Sequence, residues 1–88
     1  MATSYLDPSF RNNGDYPNGV SITSVPNGFY RVLSTAAPSE GLPSGFSYCV
    51  LQKMTVNSGY TQAILTDIYG RMAVWSTQNS VWVVKASQ

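Results

Sequence analysis

From Phe46 to Lys85 the chain alternates four runs of β-forming residues with three short turn sequences. The runs are Phe46 to Val56, Tyr60 to Ile68, Arg71 to Ser76 and Val81 to Lys85. Asn57-Ser58-Gly59, Tyr69-Gly70 and Thr77-Gln78-Asn79-Ser80 connect them. Connections this short join antiparallel neighbours, because a parallel crossover needs a dozen residues or more. The second half of the chain is therefore held to a meander. No stretch carries a helical period for longer than one turn. Upstream, "DPS", "NNGDYPNG" and "VPNG" place Pro or Gly every few positions through residue 28. Between them Gly19 to Val25 ("GVSITSV") alternates enough to predict a short strand. Phe29 to Ser34 is a second strand candidate, launched by the Pro26-Asn27-Gly28 turn, and Thr35 to Gly45 reads as a loop.

These signals predict an all-β fold: a small antiparallel sheet closed into a compact sandwich or a barrel-like knob. Residues 1–14 read as an N-terminal arm and 15–88 as the knob-like domain. The strands are unusual in one respect. Phe46, Tyr48, Val50 and Met54 lie on one face while Cys49 and Leu51 lie on the other, and Val81 to Val84 is apolar on both. A chain of 88 residues is too short to cover both faces of such a sheet with a second layer. Either the sheet curls on itself or one face meets another subunit, so oligomerisation is expected.

Charge excludes some partners. Charged residues make up 10% of the chain, against about 25% in ordinary domains, and the net charge is +1. Arg11, Arg31, Lys53, Arg71 and Lys85 are scattered singly, so no basic surface for nucleic acid is expected. A neutral polar surface suits burial against other chains or hydrogen bonding to neutral sugars. No apolar run approaches the roughly 20 residues of a membrane helix, and the N-terminus lacks the basic start and apolar core of a secretory signal. Synthesis in a cytoplasm, without membrane insertion, is the expectation.

Chemistry is sparse. There is no histidine, which removes the commonest general base, the usual nucleophile pairs and most zinc sites. Asp7, Asp15 and Glu40 sit in turn-rich contexts, and Asp67 near a hairpin tip reads as a turn residue. Cys49, the single cysteine, can form no internal disulfide and reads as a buried, inert thiol. The expectation is a protein that is not an enzyme, with no catalytic residues, metal site or cofactor. Aromatic side chains remain. Trp75 and Trp82, with Tyr48, Tyr60 and Tyr69 near them in sequence, could form a platform that stacks on pyranose rings, or could fill a core or a subunit interface.

The order of motifs is more specific than any one of them. "DYPNGVSIT" (Asp15 to Thr23), "NGFYRVLS" (Asn27 to Ser34), "LPSG" (Leu42 to Gly45), "QAILTDIYGRMAVW" (Gln62 to Trp75) and "VWVVK" (Val81 to Lys85) follow one another across residues 15–85. This order resembles the small β domains of bacteriophage tail fibres and tailspikes, including the pyocin knob of phage-tail-like bacteriocins. Gly28, Tyr30, Val32, Pro43, Gly45, Gln62, Ile64, Leu65, Gly70, Arg71, Val74 and Trp82 match the pattern; Trp75 stands where that family usually has Arg. The resemblance implies a homotrimeric virion protein, a tail-fibre or tailspike knob or tip that attaches to a host-surface polysaccharide or protein. The alternative it leaves is a decoration or connector protein of the head or tail, using the domain to trimerise and anchor other phage proteins. On the first reading the ligand contacts would be Tyr69, Arg71, Trp75, Gln78, Asn79 and Trp82. On the second, Tyr5, Leu6 and Phe10 of the arm would dock the protein.

Overall fold

A computed structural model describes residues 11–85, the side chain of Arg11 excepted. The fold is all-β. Six strands form one sheet: β1 (Arg11–Asp15), β2 (Gly28–Val32), β3 (Cys49–Asn57), β4 (Tyr60–Asp67), β5 (Met72–Ser76) and β6 (Trp82–Lys85). They lie in sequence order, with β1 parallel to β2 and every later pair antiparallel. The meander expected from Phe46 to Lys85 is thus present, with β4 starting at Tyr60 as expected and β3, β5 and β6 starting later than their apolar runs suggest. Its turns follow from local chemistry. Gly59 (φ +91°) and Gly70 (φ +81°) take left-handed conformations open to glycine, in the β3–β4 and β4–β5 turns. A register shift between Thr55 and Asn57 adds a bulge beside this first turn.

Two expectations are corrected. Gly19 to Val25 is not a strand: its centre is a 3-10 turn, Ile22–Ser24, in which Ile22 is fully buried. Ser21 caps that turn, and Glu40 accepts hydrogen bonds from Ser21 Oγ (2.6 Å) and Ile22 N (3.0 Å). The apolar spacing there is an anchoring pattern, dropping Ile22 and Val25 into the core from a loop. Conversely, β1 is a strand built from "RNNGD", which holds no β-former. Parallel pairing with β2 supplies its order, so residues 11–14 of the expected arm belong to the sheet.

The sheet is open, with β1 and β6 at its two edges, and what faces it is loop rather than a second sheet. The covered face carries one row across five strands, Tyr30–Leu51–Leu65–Ala73–Val84, and another, Gly28–Lys53–Ala63–Trp75–Trp82. Tyr16, Ile22 and Val25 from the first connecting loop, and Phe46 with Ala37 and Leu42 from the second, pack down on these rows. The Tyr16 and Tyr30 rings meet edge to face at 5.3 Å. Fully burying a side chain such as Leu51, Leu65 or Val32 stabilises by roughly 1.5–3 kcal/mol. Lys53 is also buried, its Nζ donating to the Val25 carbonyl at 2.7 Å, and burial pulls its pKa below the ordinary lysine value.

The opposite face has no such cover. Its rows are Phe29–Gln52–Ile64–Val74–Val83, Arg31–Val50–Thr66–Met72–Lys85 and Met54–Gln62–Ser76. Among the described residues none of these side chains is buried.

Candidate functional site

The expected ligand contacts fall into two groups at opposite ends of β5. Tyr69 and Arg71 belong to the β4–β5 turn; Gln78 and Asn79 belong to the β5–β6 turn. Five residues of strand separate the turns, roughly 17 Å at the usual rise per residue. They do not form one surface.

At the first end Asp67 organises the turn. Its Oδ1 accepts from the backbone N–H of Tyr69 (3.0 Å) and of Arg71 (2.8 Å), and its Oδ2 accepts from Arg71 Nε at 2.6 Å. Burial pushes this carboxyl's pKa up, but the Arg71 and Tyr69 hydrogen bonds outweigh it and hold the group below the usual carboxylate value. The turn role expected for Asp67 is thus what the geometry shows. Arg71 reaches further: its Nη2 donates to the Gly45 carbonyl at 2.9 Å, and its guanidinium lies 4.7 Å from the Phe46 ring centre and 5.5 Å from that of Tyr69. Its Nε and Nη2 and both ring contacts are engaged within the fold, so Arg71 is a staple between the turn and the second covering loop. Tyr69, 78% exposed, is the outermost aromatic of this end.

At the other end the two tryptophans are register partners. Trp75 is 4% exposed and sits in the core, so its ring offers no face to a ligand. Its indole N–H has no hydrogen-bond partner among the described residues. Trp82 is half-buried, and its Nε1 donates to the Gly41 carbonyl at 2.8 Å, clamping the second loop over the edge of the sheet. Of the two roles open to these rings in the sequence, packing is the one they fill here. Gln78 and Asn79 are exposed, with Asn79 N donating to the carbonyl and the hydroxyl of Ser76. Tyr5, Leu6 and Phe10 lie outside the described residues.

Cys49 is buried, and burial together with the nearby Asp67 raises its thiol pKa to about 11. At neutral pH it is a protonated, shielded thiol. Asp15 pairs with Arg31 at 2.5 Å on the open face, and Glu40 is bonded to the 3-10 turn, so the described acids each hold a structural bond.

The sequence gives both faces of the sheet apolar residues; the structure shows which one is left uncovered, and places Phe46 with the covered core rather than with Tyr48, Val50 and Met54. Val50 (51%), Val56 (58%), Tyr60 (51%) and Ile68 (68%) are exposed on the uncovered face, around partly buried Ile64, Val74 and Met54. Two concavities indent it. One of about 260 Å³ is lined by Arg31, Leu33, Tyr48, Val50, Thr66 and Ile68 and reaches the buried Cys49 and Asp67; the other, about 320 Å³, is lined by Asn12, Phe29, Tyr30, Arg31 and Val50. Among the described residues, the charged groups of this face are the Arg31–Asp15 pair and Lys85 at the β6 edge. Strand parity carries the same signal: even-numbered residues of β3 and β4 share one face, and they include Val50, Met54, Val56, Tyr60 and Ile64.

Comparison with protein-family models, with curated proteins and with solved structures finds no match to this chain.

Proposed function

We propose that this protein is a non-enzymatic structural part of a bacteriophage virion, a tail-fibre or tailspike domain whose sheet packs against other chains. The observation that carries the proposal is the uncovered face, on which Val50, Val56, Tyr60, Ile68, Met72 and Val83 stand exposed with no loop packed over them. The ordered motifs from Asp15 to Lys85 supply the phage context, and the use of Asp15, Glu40 and Asp67 in structural bonds fits a protein without catalysis. Self-association, expected as a trimer from the resemblance, belongs to the same reading, as does synthesis in the host cytoplasm before incorporation. Antibody raised against the protein should label particles induced from the strain that carries the gene, seen by immunogold electron microscopy. Unlabelled particles alongside abundant soluble protein would overturn the assignment.

Attachment to a host polysaccharide or surface protein is the second reading, favoured by the exposure of Tyr69 beside Arg71. On this reading fluorescent protein binds host cells and Tyr69→Ala weakens the binding. Equal binding by the variant and the wild type removes Tyr69 from the contact.

A further inference from the structure

The tripeptide Pro-Asn-Gly occurs twice, at residues 17–19 and 26–28, and a third Asn-Gly pair stands at 13–14. Asparagine is chemically labile, most of all before glycine, which puts no side chain in the way of ring closure. The backbone nitrogen of the glycine attacks the asparagine Cγ. A C–N bond forms, the Cγ–Nδ2 bond breaks, and the departing amide takes the glycine N–H proton and leaves as ammonia. Solvent water then opens the cyclic imide at either carbonyl, giving aspartate or isoaspartate, with nothing oxidised or reduced. The reaction needs a free nucleophile, an accessible carbonyl carbon and a backbone able to bend, so the fold decides which pair reacts.

Two of the pairs share one local sequence, and the structure treats them differently. Asn27 is locked. Its Oδ1 accepts from Thr55 N and Oγ1, both at 3.1 Å, and its carbonyl accepts from Asn13 Nδ2 at 3.1 Å. Gly28 is buried between Arg11 of β1 and Lys53 of β3. Asn13 is half-buried, and its bond to Asn27 holds the very amide that would have to leave. Gly14 N donates to Asn12 Oδ1 at 2.9 Å.

Asn18 and Gly19 are both exposed in the first covering loop, and Asn18 Nδ2 has no hydrogen bond among the described residues. A single residue holds the pair. Ala37 N donates to Asn18 Oδ1 at 3.1 Å, and Gly19 N donates to the Ala37 carbonyl at 2.8 Å. Displacing Ala37 therefore frees electrophile and nucleophile together, and exposed loops open at the least cost in free energy. Freeing Asn27 and Gly28 would instead unpair the start of β2.

We infer that Asn18 is a site of spontaneous deamidation, and that its isoaspartate product loosens the clasp between the two covering loops. Besides the Ala37 bonds, Ser39 N donates to the Val20 carbonyl at 3.2 Å, an oxygen that also accepts from the Tyr16 hydroxyl at 2.6 Å. Isoaspartate routes the main chain through the former side chain and lengthens it by one carbon. Gly19 and Val20 then shift against Ala37 and Ser39. Aspartate keeps the chain length and the acceptor for Ala37 N, so that product leaves the clasp in place. The chemistry is the same whether or not the protein belongs to a virion.

The full chain, kept folded in warm, mildly alkaline buffer, should gain the mass of an amide-to-acid exchange. Fragment spectra should place it at residue 18 at least about 10-fold faster than at residue 27. In urea the two Pro-Asn-Gly sites should convert within about 3-fold of each other. Equal rates at 18 and 27 in folded protein, or a lead by residue 13 or 27, overturn the site. Asn18→Gln, whose longer side chain closes the ring far more slowly, should remove the fast conversion; fast conversion that survives this change also overturns it. Separated by chromatography, the isoaspartate form should melt at least about 4 °C below fresh protein, while Asn18→Asp stays within about 2 °C. Matching melts of the isoaspartate form and fresh protein refute the loosening.

Discussion

The two faces of this sheet are built from the same strands and behave oppositely. Leu65 and Ile64 are neighbours in β4, yet one is completely buried beneath two loops and the other lies on a surface with no buried side chain. Composition does not separate them, since both faces are apolar. What separates them is connection length. The loops that enter and leave β2 are long, 16–27 and 33–48, and both fold over one side; the turns after β3, β4 and β5 are too short to reach over either. Cover is a property of the connections, and the apolar pattern alone says only that both faces want it.

The sharpest way to break this contrast is to truncate the neighbours. Leu65→Ala should cost about 2–5 kcal/mol, enough to threaten the fold of so small a domain. Ile64→Ala, measured by urea denaturation at low micromolar concentration, should cost less than about 1 kcal/mol. Equal costs would mean that the open face is as enclosed as the other.

A second test uses acid. The Asp67 carboxyl is depressed by its hydrogen bonds, so its contribution is complete above about pH 4 and is lost as pH falls through the lower folded-state value. Asp67→Asn should melt below the wild type at neutral pH, and the difference should shrink on acidification until the two melt together. A gap that persists in strong acid would place the effect elsewhere than in this charge. Third, Trp82→Phe keeps most of the packing but removes the bond to Gly41 and should cost about 1 kcal/mol by thermal denaturation. The smallest effect belongs to Tyr69→Ala, outside both faces, which should change stability by less than about 1 kcal/mol.

Much of the fold is legible in the residues. From Cys49 to Lys85, alternation and turn chemistry act locally, so each strand announces itself within its own few residues. β1 is invisible because its order comes from pairing with β2, a distant stretch of the chain, and not from any local signal. Gly19 to Val25 misleads because alternating apolar residues suit an anchoring loop as well as a strand. The expected contacts divide for a similar reason. Tyr69 and Arg71 lie close to Gln78 and Asn79 in the chain, but one strand between two turns always puts those turns at opposite ends of a sheet. Trp75 falls inward by parity, on the same side as Ala73, a relation present in the sequence but undecided until one face is known to be covered.

The second covering loop is fastened at two points, Gly41 to the Trp82 indole and Gly45 to the Arg71 guanidinium. Both fasteners are encoded downstream of the loop they hold, one of them in the final strand. As the chain leaves the ribosome, Phe46 and Leu42 must wait for nearly the whole meander before they can be clamped in place. The lid of the core is therefore the last part to close, and a chain ending before Trp82 would leave it half fastened.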